Sequence, residues 1–204
     1  MKGTSMSKSS TGPMETARPI RADARRNEDA VLEAAKAVFA MSGVDAPVRD
    51  IALAAGVGIA TLYRRFPKRS DLIAAVFRRE VDLCVAAAVD LANDLPPADA
   101  LRHWLMRYTD FMLTKKGLAA ALHSGDPAFD ALPGYFRSNF EPALATLLNN
   151  AAAAGSVRGD VVPYDLLRAI GNLSVAAGDD GAAHARRMVQ MLLDGLCTGI
   201  SGRG

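Results

Sequence analysis

Residues 48–66 read VRDIALAAGVGIATLYRRF, and they contain two short helical patterns separated by glycines. The first pattern covers about residues 48–55 and the second about residues 59–66. Two short helices that cross steeply need small residues where they touch and a left-handed residue in the turn between them. Ala52 is small enough for the contact, and Gly56 supplies the turn residue. The stretch therefore predicts a helix-turn-helix.

The second of these helices has an outer face that suits contact with nucleic acid. Ile51, Leu62 and Phe66 are expected to be core residues that fix the crossing angle. The side chains predicted to lie outside are Ile59, Ala60, Thr61, Tyr63, Arg64 and Arg65. Small residues allow a close approach to base edges, and Tyr and Arg can donate to phosphates or guanine. The pattern indicates double-stranded DNA as a partner.

The charge distribution agrees with this interpretation but does not decide it. Residues 1–82 contain 14 Lys and Arg against 10 Asp and Glu, a net charge of +4, and residues 83–204 contain 10 against 12, a net charge of −2. A basic excess in the N-terminal part is typical of a region that meets phosphates. An ordinary solvated surface would give the same balance.

The segment IALAAGVGIATLYRRFPKRSDL, residues 51–72, resembles the DNA-binding signature of the TetR (tetracycline-repressor-like) family. The consensus of that family reads close to IA-x-x-AGVS-x-x-TLY-x-x-F-x-x-K-x-x-L, and the similarity covers about residues 22–75. Three positions depart from it: Gly58 stands where Ser often caps the second helix, Val48 where Thr or Ser is common, and Arg69 where Lys is usual. The resemblance implies a transcription regulator without catalytic activity, more often a repressor than an activator.

The resemblance also implies a role for each exposed residue. Ile59, Ala60 and Thr61 would meet base edges, and Arg64 or Arg65 would pair with guanine. The residues implied to hold the DNA backbone are Tyr63, Arg49 and Arg69. Tyr63 could also be partly a core residue.

Helical periodicity continues through the chain, and no segment alternates with a period of two. We therefore expect an all-α protein of about nine helices. Residues 1–21 are predicted to be a disordered arm, residues 22–68 a three-helix DNA-binding domain, and residues 69–204 a ligand-binding and dimerisation domain. Ser70 is expected to cap a long helix, and a break in the helical stretch 126–154 is expected near Pro133.

An aromatic and thioether stripe marks the predicted helix at about residues 98–114. Such a stripe is more often core than pocket, but the family resemblance implies that this helix lines an effector cavity. The resulting ligand-binding candidates are Trp104, Tyr108, Met112, His123, Phe140 and Asn172. Since no Arg or Lys cluster is evident there, the effector is predicted to be apolar or aromatic, not a sugar phosphate.

The last two predicted helices, about residues 163–177 and 180–198, carry apolar residues on more than one side together with several glycines. Helices of this kind need partners beyond their own domain. We therefore predict a homodimer with a two-fold four-helix interface within residues 163–198. A two-fold dimer implies a palindromic operator.

Other classes of function find little support in the sequence. Half of the residues are apolar, but no apolar run reaches the length of a membrane span, and the N-terminus has no secretory pattern, so a cytoplasmic protein is expected. The three His and two Cys have no metal-ligand spacing, and no nucleophile motif or cofactor-binding loop is present. The alternatives are a DNA-binding regulator without a small-molecule effector, gated by a protein or constitutive, and, remotely, an enzyme of unknown class.

Overall fold

The structure is a computed structural model that describes residues 17–114, 124–174 and 180–197, and every regular element in these ranges is helical. The all-α prediction is confirmed. The helices are α1 (Ala17–Ser42), α2 (Val48–Ala54), α3 (Ile59–Arg65), α4 (Arg69–Asp94), α5 (Pro97–Thr114), a 3-10 helix (Pro127–Phe129), α6 (Leu132–Ala153), α7 (Pro163–Leu173) and α8 (Gly181–Cys197). The described residues thus form eight α-helices, against about nine predicted. Because α1 begins at Ala17, the last residues of the expected arm belong to a helix.

Helices α1 to α3 form a small bundle in which α2 packs against both neighbours. Ile51 and Leu62 are buried in it, as the sequence predicts. Gly43 ends α1 with φ +79°, and Gly56 forms the α2–α3 turn with φ +65°. A β-carbon is strained in this left-handed region, so both turns favour glycine. The helix-turn-helix prediction is confirmed.

Helix α4 connects the two halves of the molecule, because it packs against α1 as well as α5 and α6. Two ion pairs join it to α1: Arg79 Nη1 lies 2.7 Å from Glu33 Oε2, and Lys36 Nζ lies 2.8 Å from Glu80 Oε2. The predicted domain boundary falls at the first residue of α4. The buried side chains of both halves nevertheless form one hydrophobic cluster.

Aromatic rings fill the centre of the C-terminal half. Trp104, Tyr108 and Phe140 are almost fully buried, and their ring centroids lie 5.1–5.9 Å apart. Trp104 Nε1 donates to the Cys84 carbonyl at 2.8 Å, and Tyr108 Oη donates to the Leu167 carbonyl at 3.2 Å. These bonds satisfy the polar atoms of a closely packed core.

Burial makes the titratable groups of this core inert. Desolvation raises the pKa of the Cys84 thiol to about 12 and also raises the pKa of Tyr108. Both groups are therefore neutral at physiological pH. Cys84 behaves as a small apolar side chain, as expected for a structural cysteine.

Of two predictions about helix ends, one is confirmed and the other is wrong. The stretch 126–154 is interrupted near Pro133 as predicted, because the 3-10 helix ends at Phe129 and α6 begins at Leu132. Pro133 therefore lies in the first turn of α6, where no backbone N–H is needed. Ser70 does not cap α4, because that helix already begins at Arg69 and the Asp71 carboxylate accepts from the Lys68 backbone N–H at 3.0 Å.

Helices α7 and α8 bury one apolar face inside the protomer, and α8 carries further apolar side chains, Met188, Met191 and Leu192, that are partly or largely exposed. The apolar residues of α7 and α8 that the protomer itself buries are Leu166, Leu167, Ile170, Val189, Leu193 and Leu196. Of the large apolar side chains in these two helices, Met191 is the exposed one, with 66% of its surface accessible. Any partner surface on them is therefore smaller than the sequence suggests.

We predict that Phe140→Ala lowers the free energy of unfolding by about 3–5 kcal/mol, because it removes a ring packed against Trp104, Tyr108, Phe111 and Phe136 and leaves a cavity. Urea unfolding followed by circular dichroism measures the change. The exposed Val89→Ala is the matched control and should stay within about 0.5 kcal/mol. Equal effects of the two substitutions would contradict the packed aromatic core.

Candidate functional site

The outer face of α3 is open to solvent in the way the sequence predicts. Ile59 is 46% and Tyr63 48% exposed, and Ala60, Thr61 and Arg64 are also exposed. Leu62, on the opposite side of the helix, is buried and anchors it to the bundle. The exposed face of α3 is therefore a short apolar and hydroxyl surface, with the phenol of Tyr63 and the guanidinium of Arg64 beside it.

The two arginines at the end of α3 differ in their contacts. Arg65 Nη2 donates to both carboxylate oxygens of Glu28 on α1, at 2.8 and 2.9 Å. This hydrogen bond and the negative charge of Glu28 raise the pKa of Arg65. Arg64 makes no hydrogen bond or ion pair with another residue in the described ranges. Arg64 is therefore the available guanidinium on this face, whereas Arg65 links α3 to α1.

Arg69, which the family resemblance implies as a contact to the DNA backbone, is occupied inside the domain. Its Nη1 donates to the carbonyls of Val44 and Ala46, the second at 2.7 Å, and its side chain is half-buried. Arg69 thus fastens the start of α4 to the loop between α1 and α2. Arg49 has 79% of its side chain exposed and only a 3.4 Å contact with the neighbouring Asp50, so it is free to reach a phosphate.

The start of α3 lacks a side-chain cap. Gly58 occupies the N-cap position, and only its carbonyl takes part, accepting from the Thr61 backbone N–H at 2.9 Å. The free N–H groups of the first turn therefore remain available to an external acceptor. Helix N-termini of this kind bind anionic groups readily.

A cavity of about 750 Å³ lies in the C-terminal half, between α4, the 3-10 helix, α6 and α7. Its wall is mostly apolar and aromatic. The residues that line it are Phe77, Phe129, Leu132, Pro133, Gly134, Phe136, Arg137, Ser138, Glu141 and Tyr164. This volume and lining are typical of a small-molecule site.

The predicted ligand-binding residues do not line this cavity. Trp104, Tyr108 and Phe140 belong to the packed core, Asn172 is exposed, and His123 lies outside the described residues. Met112 packs against α7, where its Cε lies 3.4 Å from the place that a β-carbon on Gly171 would occupy. The stripe on α5 is therefore core, because its face points to the centre of the helical layer.

Phe136 connects that core to the cavity. Its ring centroid lies 4.7 Å from that of Phe140 and 6.1 Å from that of Tyr108, and it also lines the cavity. Phe136 lies one helical turn before Phe140, and this spacing is the sequence signal that could have identified Phe136 as a cavity residue. Phe77, Phe129 and Tyr164 come from three other elements, so no local pattern brings them together.

Polar groups at the cavity belong mainly to α6. Arg137 Nε donates to Glu141 Oε2 at 2.9 Å, and the Arg137 guanidinium lies 4.2 Å from the centroid of the Tyr164 ring. Nearby, Tyr135 Oη donates to the Asp82 carboxylate of α4, and this bond raises the pKa of Tyr135. The part of the chain that the structure describes contains no group of three acidic, His or Cys side chains able to hold a metal ion.

Comparison with known sequences identifies both halves. Residues 31–76 match the description "Bacterial regulatory proteins, tetR family", and residues 96–198 match "Transcriptional regulator SbtR-like, C-terminal domain". The chain belongs to the TetR family of bacterial transcription regulators. The TetR resemblance of residues 51–72 is thereby confirmed.

Solved TetR-family structures show the same fold over most of the chain. A TetR transcriptional regulator from Streptomyces coelicolor is 39% identical, with a TM-score of 0.69, and the match covers 83% of this chain and 97% of that one. A TetR regulator from Mycobacterium vanbaalenii is 33% identical, with a TM-score of 0.72, and covers 88% of this chain and 100% of that one. Both halves of the molecule therefore follow the family architecture.

A curated relative is the HTH-type transcriptional repressor LfrR from Mycolicibacterium smegmatis, which is 41% identical over 86 residues, covering 42% of this chain and 45% of LfrR. HTH-type regulators from Staphylococcus aureus are 28% identical over 109 residues, covering 52% of this chain and 59% of those proteins. The chain spans about half the length of the curated relatives it matches. Among the described residues no helix is long and apolar enough to cross a bilayer.

We predict that Gly134→Trp blocks the cavity, whereas Gly134→Ala leaves it open. Gly134 lines the cavity in the first turn of α6, and no atom lies within 4 Å of the place where its β-carbon would be. The alanine variant should be more stable by about 0.5 kcal/mol, because it loses backbone entropy in the unfolded chain. Fluorescence of the neutral apolar dye N-phenyl-1-naphthylamine reports occupancy of the cavity. Equal dye binding by both variants would place the dye elsewhere.

Proposed function

We propose that this protein is a cytoplasmic repressor that binds a palindromic DNA operator as a homodimer and is released by a small apolar or aromatic effector. The observation that carries the proposal is the position of α4. This single helix lines the effector cavity through Phe77 and is ion-paired to the DNA-binding bundle through Arg79. The effector and the operator would therefore act on one continuous element.

The DNA contacts follow from which side chains are free. Ile59, Ala60 and Thr61 are exposed on α3 and would meet base edges, with the apolar groups suited to a thymine methyl. Arg64 would pair with guanine, and Tyr63 and Arg49 would donate to phosphates. Arg65 and Arg69 would act indirectly, by holding α3 and the start of α4 in place.

The cavity supports regulation by a small molecule over a regulator without an effector. An effector shifts the DNA-competent population only through its different affinity for two conformers. A ligand that separates Phe77 from Phe136 would move α4 relative to α6, and the Arg79–Glu33 pair would pass that movement to α1. The structure of LfrR, 26% identical over 88% of this chain with a TM-score of 0.54, contains proflavine, which supports an aromatic effector.

The dimer is proposed to form through α7 and α8, within residues 163–198. Met191 is largely exposed on α8, and Met188 and Leu192 are partly exposed beside it. Because most apolar residues of these helices are used inside the protomer, the interface would combine this apolar patch with polar contacts at its edge. A two-fold axis there would place two α3 helices on successive major grooves.

We predict that Arg64→Ala relaxes base preference at one operator position, where a bidentate contact to guanine contributes about 1–3 kcal/mol. Arg49→Ala should instead weaken all duplexes alike and reduce the slope of log affinity against log salt by about 1. Selection of bound sequences from random DNA, followed by binding titrations at several salt concentrations, separates the two effects. Arg65→Ala is the matched control, and it should not change the preferred base. An unchanged preference in Arg64→Ala would contradict our assignment of α3.

We predict that Met191→Glu converts the dimer to a monomer, because a buried carboxylate without a partner opposes association. Sedimentation equilibrium at micromolar concentration measures the molar mass. Val89→Glu is the control, since Val89 is equally exposed, at 64%, but lies on α4. A monomeric unsubstituted protein would overturn the proposed dimer, and a dimeric Met191→Glu would move its interface elsewhere.

A further inference from the structure

Two guanidinium groups surround one aromatic wall residue of the cavity. Tyr164 lies in the first turn of α7 and lines the cavity. The Arg137 guanidinium is 4.2 Å and the Arg168 guanidinium 5.9 Å from the centroid of its ring. Since cations over a phenol ring are attracted to its face, Tyr164 holds both charges near the cavity.

Few acidic groups oppose these two charges. Glu141 accepts one bond, from Arg137 Nε, and Asp165 makes no ion pair with either arginine. Arg168 has no hydrogen bond or ion pair to another residue in the described ranges. An arginine has five N–H donors, and Arg137 uses one of them on Glu141, so its terminal nitrogens are left for an external acceptor. Two guanidinium groups thus lie near Tyr164, and Glu141 is the carboxylate that contacts one of them in the described ranges.

We propose that the effector is an apolar or aromatic carboxylic acid whose carboxylate binds Arg137. The inference rests on the proposed function, in which this cavity is the effector site. The apolar body of the acid would lie among Phe77, Phe129 and Phe136, and the two carboxylate oxygens would accept from the two terminal nitrogens of Arg137. Arg168 would add attraction without a direct bond.

The residues that line the cavity favour a carboxylate over a cationic ligand or a phosphate ester. A cationic ligand would meet two guanidinium groups, Arg137 and Arg168, against the single carboxylate that the described residues place at the cavity wall, that of Glu141. A phosphate ester would need further donors, whereas Arg137 offers one planar fork, which matches a carboxylate. The rest of the wall offers aromatic surface, which suits a hydrocarbon ring or chain.

We expect the cavity to bind an acid only moderately more tightly than the corresponding alcohol. A hydrogen bond to a charged group changes affinity by a factor of about ten or more. Because 57% of the Arg137 side chain is exposed, water competes with the ligand and screens the charge. We therefore expect about a tenfold preference for an acid over the alcohol of the same shape.

Three probes of one shape test the inference on the full chain: 2-naphthoate, 2-naphthalenemethanol and 2-naphthylmethylamine. Each is titrated against bound N-phenyl-1-naphthylamine, and Gly134→Trp, which should bind none of them, identifies displacement from this cavity. We expect 2-naphthoate to displace the dye at about tenfold lower concentration than the alcohol, with the amine weakest. Arg137→Met, which keeps an apolar stem of similar length, should remove the difference between acid and alcohol.

Arg102→Met is the matched control, because Arg102 is also partly exposed and ion-paired, to Asp194 at 3.0 Å, but does not line the cavity. This variant should keep the preference for the acid. Equal affinity for acid and alcohol, a preference for the amine, or an acid preference that survives Arg137→Met would each overturn the carboxylate assignment while the effector site remains. Failure of the dye and of all three probes to bind would overturn the effector site as well.

Discussion

Helix α4 has to bury side chains against helices from both halves of the chain, and the rest of the structure depends on how it does so. Leu72 and Val76 are buried in its first half, and Cys84 and Ala88 in its second half. The Arg79–Glu33 ion pair fixes its position along α1. Because protein interiors are close-packed, α4 cannot move at the cavity without repacking its neighbours or carrying α1 with it. That constraint links the cavity to the exposed face of α3, our proposed ligand site and proposed DNA-contacting face, without any direct contact between them.

The arginines of the N-terminal bundle illustrate how packing divides residues of one type between roles. Arg65 and Arg69 use their donors on Glu28 and on backbone carbonyls, and so hold α3 and α4 in place. Arg64 and Arg49 have no comparable partner in the described ranges. Arg65 makes the orientation of α3 more rigid, Arg69 does the same for the start of α4, and Arg64 and Arg49 are the arginines that we propose contact DNA. A preorganised face loses less conformational entropy on binding.

The cavity exists because the first turn of α6 cannot fill the space beside the aromatic core. Gly134 has no side chain, Pro133 is rigid, and both line the cavity together with Phe136. Behind them Trp104, Tyr108 and Phe140 are packed with their polar atoms satisfied. Closely packed rings on one side and missing side chains on the other produce a pocket with a firm aromatic wall. The arginines near Tyr164 then give that wall its polarity.

The helical class, the helix-turn-helix at residues 48–66 and the need for glycine at position 56 could all be predicted from the amino-acid sequence. These features depend on local periodicity, residue size and backbone angles, which neighbouring residues set. The sequence also indicated correctly that Leu62 is buried and that Ile59 and Tyr63 are exposed. Two features became evident from the packing of the helices alone: Arg65 faces Glu28, 37 positions away in the sequence, and the cavity lies at Phe136 and not at Trp104. Both features depend on which distant helices pack together. A helical period of about 3.6 residues indicates that one face of a helix is buried, but it does not indicate which other helix covers that face.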